Sequence, residues 1–265
     1  MRCKTVLISL FISLNVFGQS RNEDLLFSYK TDAHSVAVDV LGNHYLIGNT
    51  RIEMFDDNGK KKYEYNSSIS DRIYSVDISR ALRPLVYFKE QGRVDYLDNT
   101  LSLQNNSIDL FSLPFDRIGA VAASVDNHIW IYDEARNEVF RLDESLNVIS
   151  SSGNLGNWLP MGMEEVIMHE DRDRLYLADA ETGIVMFDLY GNFVAQLITK
   201  PIDDFFLGDG GIYFLSDKGW FFYHHLTKNE TAVIFEPTFA PCRVAGGRLY
   251  VLNNNYLQVF RFVRE

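Results

Sequence analysis

Charged side chains recur in pairs just ahead of short apolar runs: Asp32 and His34, Asp71 and Arg72, Asp116 and Arg117, Glu164 and Glu165, Asp203 and Asp204, and Arg243 beside the thiol of Cys242. Carboxylates that converge from separate runs can hold a hard cation such as calcium, which takes about six to eight oxygen ligands. Glu165, Asp203 and Asp204 are the candidates for that chemistry. Arg72, Arg117 and Arg243 stand at the same point of other runs. Guanidiniums there would pair with the carboxylates and repel a metal ion. Other constellations are weaker. His224 and His225 are adjacent, and neighbours on a strand point to opposite faces, so they do not chelate one ion together. The sequence carries no Gly-rich phosphate loop, serine nucleophile elbow or Cys–His metal spacing. Asp133, Asp179 and Asp217 close apolar runs and read as turn formers.

One stretch has the composition of a docking loop. Residues 153–163, GNLGNWLPMGM, contain no charge. Trp158, Leu159, Pro160 and Met161 are costly to leave in water, at ~25 cal/mol per Å² of apolar area. Trp and Met are favoured where proteins meet. Trp158, Leu159 and Met161 are therefore candidate partner-binding residues, and Phe239 in PTFAP (237–241) is another. On this reading truncating Trp158 spares the fold. The alternative is that the loop folds over its neighbours.

These residues have to be positioned by something, and the chain repeats itself. Aligned on a central aromatic, similar runs occur at GNHYLIG (Tyr45), RPLVYFK (Tyr87), NHIWIYD (Trp130), DRLYLAD (Tyr176), GGIYFLS (Tyr213) and GGRLYVLN (Tyr250), spaced 42, 43, 46, 37 and 37 residues apart. A second aromatic follows each after 9–11 residues: Phe55, Tyr96, Phe140, Phe187, Tyr223 and Phe260. Alternating runs precede the first aromatic, as in SVAVDV (35–40), IYSVDI (73–78) and GAVAAS (119–124). Others follow the second, as in KKYEYN (61–66), LNVISS (146–151), NFVAQLI (192–198) and ETAVIF (230–235). Short runs rich in β-branched and aromatic residues, bounded by Gly, Asn and Asp, predict strands. Four per repeat at a period near 40 predicts propeller blades. The expected fold is all-β: a six-bladed propeller of four-stranded antiparallel sheets over residues 19–265.

The sixth repeat has no room for a fourth strand. DLLFSYK (24–30) supplies one, and pairing it there closes the ring and removes an open sheet edge. In such a ring the heads of the inner strands gather at one mouth of a central channel. The mouth is then lined by His34, Arg72, Arg117, Glu165, Asp203, Asp204 and Arg243.

Val36-Ala37-Val38-Asp39, Gly42-Asn43, Tyr45 and Phe55-Asp56 in the first repeat, with Leu175 to Asp179, Phe187-Asp188 and Gly191 in the fourth, resemble the blade pattern of NHL-repeat six-bladed propellers. Ligand binding at the channel mouth is what that resemblance implies. Propellers resembling gluconolactonases hold calcium there, and Glu165, Asp203 and Asp204 are the residues that would do so here. The turns of the second, fifth and sixth repeats depart from the NHL pattern.

The N-terminus, MRCKTVLISLFISLNVFGQS, has two basic residues, Arg2 and Lys4, and then a mainly apolar stretch from Val6 to Phe17. That stretch is too short to cross ~30 Å of hydrocarbon as a helix. It reads as a signal peptide ending at Gly18, and predicts export to the periplasm or beyond. After cleavage Cys242 would be the only cysteine, so no internal disulfide can form. The net charge of −11 disfavours nucleic acid and anionic membranes as partners. The sequence thus predicts a non-catalytic binding or scaffold module without cofactor, recognising a protein or peptide. The alternative is a calcium-dependent hydrolase.

Overall fold

The computed structural model describes residues 24–67, 72–159, 166–233, 235 and 240–262. The segment read as a signal peptide lies outside them. Six four-stranded antiparallel sheets form the blades. In order from inner to outer strand, blade 1 comprises Ser35–Val38, His44–Ile47, Arg51–Phe55 and Lys61–Asn66. Blade 2 comprises Ser75–Asp77, Leu85–Phe88, Arg93–Leu97 and Leu103–Asp109. Blade 3 comprises Ile118–Ala123, Ile129–Asp133, Glu138–Leu142 and Val148–Ser151. Blade 4 comprises Val166–Asp171, Arg174–Asp179, Gly183–Asp188 and Phe193–Ile198. Blade 5 comprises Asp204–Gly208, Gly211–Ser216, Gly219–His224 and Glu230–Val233. Blade 6 comprises Cys242–Ala245, Arg248–Asn253, Tyr256–Arg261 and, as its outer strand, Leu25–Lys30.

Strand alternation explains why the second strands read as continuous apolar runs. Successive side chains point to opposite faces of a sheet. In blade 3, Ile129 and Ile131 pack into the interface with blade 2. Trp130 and Tyr132, between and beyond them, pack into the interface with blade 4. Both faces are buried, so the central positions are apolar. The same logic places Tyr45, Tyr87, Trp130, Tyr176, Tyr213 and Tyr250 in the core. Outer strands such as KKYEYN have a largely exposed pattern and carry charge.

The core is divided among the junctions. Buried clusters span blades 1 and 2, 2 and 3, 3 and 4, 4 and 5, and 5 and 6, and a further one spans blades 6 and 1. That last cluster makes the arrangement a ring. The strand Leu25–Lys30 pairs antiparallel with Tyr256–Arg261, from Leu25 opposite Phe260 to Lys30 opposite Tyr256. Its aromatics then cross to blade 1. Tyr29 stacks on Phe55 with ring centroids 4.9 Å apart. His44, fully buried, stacks on Phe55 at 5.2 Å and on Phe27 at 5.7 Å, and accepts or donates a hydrogen bond at Nε2 with the Tyr29 hydroxyl. Phe27 also lies against Gly59, a turn residue at φ +78°; a Cβ there would sit 3.1 Å from the ring. Glycine serves both the turn and the contact.

Strand ends differ from the sequence reading by a few residues. The outer strand of blade 3 starts at Val148 rather than Leu146, because Leu146 adopts the left-handed φ of +64° in the preceding turn. The outer strand of blade 2, not delimited by the sequence, is Leu103–Asp109. It is ended by a single 3-10 turn whose first N–H groups are capped by Asp109, which accepts from Phe111 N–H. No helix among the described residues is long and apolar enough to cross a membrane.

Candidate functional site

Inner strands start at one end of the channel, so the charged residues ahead of them gather there together with the turns between second and third strands. A cavity of about 420 Å³ lies inside this mouth, walled by the inner strands of blades 2, 3 and 4. Its polar lining includes Asp77, His169, Asp179 and Asp203, with Tyr74 at the rim.

Each polar group is held differently. Asp77 ends the inner strand of blade 2. It accepts Ser79 N–H at 2.8 Å and, across the blade junction, Ala123 N–H at 2.8 Å. Asp179 ends the second strand of blade 4. Its Oδ1 accepts three hydrogen bonds from the turn that follows: Glu181 N–H, Thr182 N–H and the Thr182 hydroxyl, each at 2.9 Å. His169 points from the inner strand of blade 4 and meets the Phe205 ring edge-on at 5.2 Å. Burial holds its imidazole below the ordinary value; the Asp77 and Asp204 carboxylates oppose that shift and Arg243 adds to it. The ring is therefore neutral near pH 7.

Arg243 and Arg117 at the mouth are engaged by carboxylates. Arg243 clasps Asp204 with Nη1–Oδ2 at 2.7 Å and Nη2–Oδ1 at 3.4 Å, its guanidinium lying over the Phe206 ring at 5.1 Å. Arg117 pairs with Glu134 at 2.6 Å, and Lys89 reaches the same carboxylate at 2.9 Å. The Glu134 side chain is only 7% exposed. It lies so close over Gly119 that a Cβ there would come 2.5 Å from its Cγ. His34 and Arg72 are exposed at the mouth, as is Asp203, whose N–H bonds to Leu215 C=O at 2.9 Å. Glu165, Glu164 and Asp71 lie outside the described residues.

The docking-loop reading changes. Leu159 is 1% exposed and belongs to the core between blades 3 and 4, where no partner reaches it. Trp158 is half-buried and stacks face to face on Phe193 of blade 4, centroids 4.5 Å apart. The loop is tied down by Asn137, which is fully buried: its C=O accepts Leu155 N–H at 2.8 Å, and its Nδ2 donates to Leu159 C=O at 3.1 Å. At its described residues, Leu155 to Leu159, the loop packs against blades 3 and 4. Met161 and Phe239 lie outside the described residues.

Sequence reasoning passed over Asp77, His169 and Glu134. The first two sit inside runs that read as core strands. Glu134 follows Asp133 in a turn, and its two cations come from other loops. His224 and His225 go to different neighbours, the one edge-on to Phe222 and the other beside Tyr176. Among the described residues no three His, Cys, Asp or Glu side chains form a cation-binding group. Cys242 is buried, and burial pushes its thiol well above the usual range.

The fold defines the class: a six-bladed β-propeller with a polar cavity at its channel mouth. No family model matches the chain, and no curated protein matches it. Solved structures do. Virginiamycin B lyase from Staphylococcus aureus with quinupristin is 13% identical, over 86% of this chain and 80% of that one, at a TM-score of 0.58. A chain of the mitotic checkpoint complex is 10% identical over 100% and 99%, at 0.59. YCF48 bound to D1 peptide is 8% identical over 89% and 97%, at 0.55. At these identities the likeness shows the propeller fold alone.

Proposed function

We propose that this protein is an exported, non-catalytic binding or scaffold module that presents its channel mouth to a protein or peptide partner. The observation that carries the reading is the cavity inside the mouth. It is built on the inner strands of three blades, and it opens at the mouth where the connecting loops gather. Propellers of similar shape have been seen with such partners: YCF48 with D1 peptide, and the propeller chain within the mitotic checkpoint complex. The leader-like first 18 residues support export.

Against the calcium-hydrolase reading stands the ion pair of Asp204 with Arg243 at 2.7 Å. Binding therefore centres on the mouth around Tyr74 and Asp203, and the segment at Trp158 and Leu159 supports the fold.

Cross-linking capture from the producing cell's envelope, run in parallel with three proteins, tests this. They are the wild type, the mouth variant Tyr74→Ala/Asp203→Lys, and a far-face variant at the fully exposed turn residue Leu226, Leu226→Lys. A protein retained by wild type and Leu226→Lys but lost by the mouth variant is the expected result. The same capture profile for both variants would overturn the reading. A melting temperature that rises with calcium and falls with chelator would favour the hydrolase.

A further inference from the structure

The cavity is not only polar but one-signed. Asp77, Asp179 and Asp203 line it, and the described lining residues include no lysine or arginine. Arg243, the cation near His169, is clasped by Asp204. His169 is neutral near pH 7, since burial depresses it. The described lining of the cavity thus has carboxylates and no cationic side chain.

Within it Asp179 has a carboxylate oxygen without a hydrogen-bond partner. Asp179 is 5% exposed, yet all three of its hydrogen bonds go to Oδ1. Oδ2 accepts none, on a residue that forms the cavity wall. That oxygen is open to the cavity, so it can accept from a donor that enters. Asp77 differs: each of its oxygens already takes a backbone N–H, so it contributes field more than an open acceptor.

The group that fits is a donor without acceptors that carries positive charge. Ammonium and guanidinium are the biological cases. The volume, about 420 Å³, is in the range of ligand pockets and admits one long side chain with accompanying water. Tyr74 stands exposed at the rim, and its ring already carries the Lys89 ammonium 4.9 Å from its centroid. The net charge of −11 draws basic partners toward the surface.

We propose that the channel cavity accepts a basic side chain, arginine or lysine, from a peptide segment of the partner, with Oδ2 of Asp179 as its principal acceptor. This deepens the binding reading above and rests on it.

Isothermal titration of the whole protein at low salt tests it, using Ac-Gly-Arg-Gly-amide, its lysine analogue and its citrulline analogue. Citrulline keeps the shape of arginine and removes the charge. The arginine and lysine peptides should bind, with the citrulline peptide at least about tenfold weaker. Asp179→Asn keeps a carbonyl oxygen for the turn and removes the free carboxylate oxygen. It should weaken the arginine peptide by about tenfold or more with an unchanged melting temperature. Equal binding of the citrulline peptide, or an Asp179→Asn protein that binds as wild type does, would overturn the proposal. So would silence toward both basic peptides. Methylguanidine binding as tightly as the arginine peptide would overturn the peptide part and assign the cavity to a free small guanidinium compound. Calcium that binds alone and displaces the peptide would assign it to a metal. Capture at the mouth that survives while the basic peptides fail sinks this inference alone. Basic peptides that bind while capture ignores the mouth variant sink the partner reading.

Discussion

Glu170 and Asp179 belong to adjacent strands of blade 4, lie toward opposite ends of the channel wall, and are equally buried at 5% exposure. Glu170, toward the far end, is saturated. Its Oε2 takes the Ser124 hydroxyl at 2.5 Å and Trp130 Nε1–H at 2.6 Å; its Oε1 takes Val125 N–H at 2.8 Å and faces Arg80 at 3.4 Å. Asp39, at the far end of blade 1, likewise accepts Leu41 N–H, Asn43 N–H, the Asn43 amide and the Tyr45 hydroxyl, each at 2.9 Å. Asp179, at the mouth, leaves an oxygen unused. A buried carboxylate whose lone pairs are all taken rigidifies the fold; one with a free oxygen can still do something. Asp39 and Glu170 at the far end are taken up by their own hydrogen bonds, whereas Asp179 at the mouth uses only one of its oxygens.

Both ends presuppose a closed ring, so the largest effect should come from opening it. Deleting residues 24–30 removes the outer strand of blade 6 and the rings that stack on His44 and Phe55. The expected loss is about 5 kcal/mol or more, comparable with the whole stability of an ordinary domain. Urea denaturation of the truncated chain checks this. A midpoint equal to that of the parent would mean that the strand does not close the ring.

Glu170→Gln tests the saturated end. The amide keeps one acceptor but turns a donor toward Trp130, Ser124 or Val125, all buried donors. Stranding groups of this kind costs about 1–3 kcal/mol each, so about 3 kcal/mol in total is expected. A loss below about 1 kcal/mol in the urea midpoint would show that the network around Glu170 is not what joins blades 2, 3 and 4.

The seam between blades 6 and 1 responds to pH. Burial, helped by Arg248, pushes His44 down to about 4. The unfolded chain, with histidine near 6.5, then binds the proton more readily than the folded one between those values. Stability is therefore full above about pH 6.5 and falls as pH drops toward 4. Between pH 7 and pH 5 the loss attributable to His44 is about 2 kcal/mol at most. His44→Phe keeps a ring in the stack and should flatten that slope in paired urea titrations. His169, His34 and His225, each lowered chiefly by burial, have the same sign and share whatever slope persists. More acidic conditions reach the outer turns. Asp56, Asp98, Asp143 and Asp188 are held below the usual carboxylate range, led by the Lys60 N–H on Asp56, the Thr100 hydroxyl on Asp98, the Asn147 N–H on Asp143 and, against burial, Asn192 on Asp188. Their contribution is present above the unfolded value near 3.8 and is lost as pH falls through the lower folded ones.

Those same turns explain what could be read from the sequence. An aspartate accepting from the N–H groups two and four residues on recurs after the third strand in blades 1 to 4, and so marks the repeat. The aromatic runs were legible because both of their faces are buried. The closing strand was legible because the sixth repeat lacked a partner for its edge. The site was less so. Asp77 and His169 look like polar interruptions in core strands, and only the curvature of the ring brings them to one cavity. Asp179 reads as a turn former, which is true of its Oδ1 and silent about Oδ2. The charge-free loop was ambiguous for another reason: apolar composition says that Trp158 and Leu159 need cover, not whether blade 4 or a partner supplies it.

Trp158→Ala measures how much of that cover is internal. The ring is half-buried and parallel to Phe193 within 8°. Losing the stack and the area beneath it should cost about 2 kcal/mol, less than a fully buried Trp. Binding at the mouth should be unaffected. A variant that melts like the parent would return the loop to the surface and reopen its role in docking.

The smallest expected effect on stability is the one that sharpens the comparison most. Asp179→Asn and Glu170→Gln are the same chemical change at the two ends of one blade, each replacing a carboxylate oxygen by an amide nitrogen. In Glu170 both oxygens are in use, so the new donor must face other donors. In Asp179 the three turn hydrogen bonds all fall on one oxygen, and an asparagine can offer its carbonyl there while the amide takes the free position. Removing a charge that shares the cavity with Asp77 and Asp203 also relieves like-charge repulsion. The expected change in unfolding free energy is therefore within about 0.5 kcal/mol, and of either sign. If Asp179→Asn instead destabilises as much as Glu170→Gln, the mouth carboxylate is structural after all, and the distinction between a sealed end and an open one collapses.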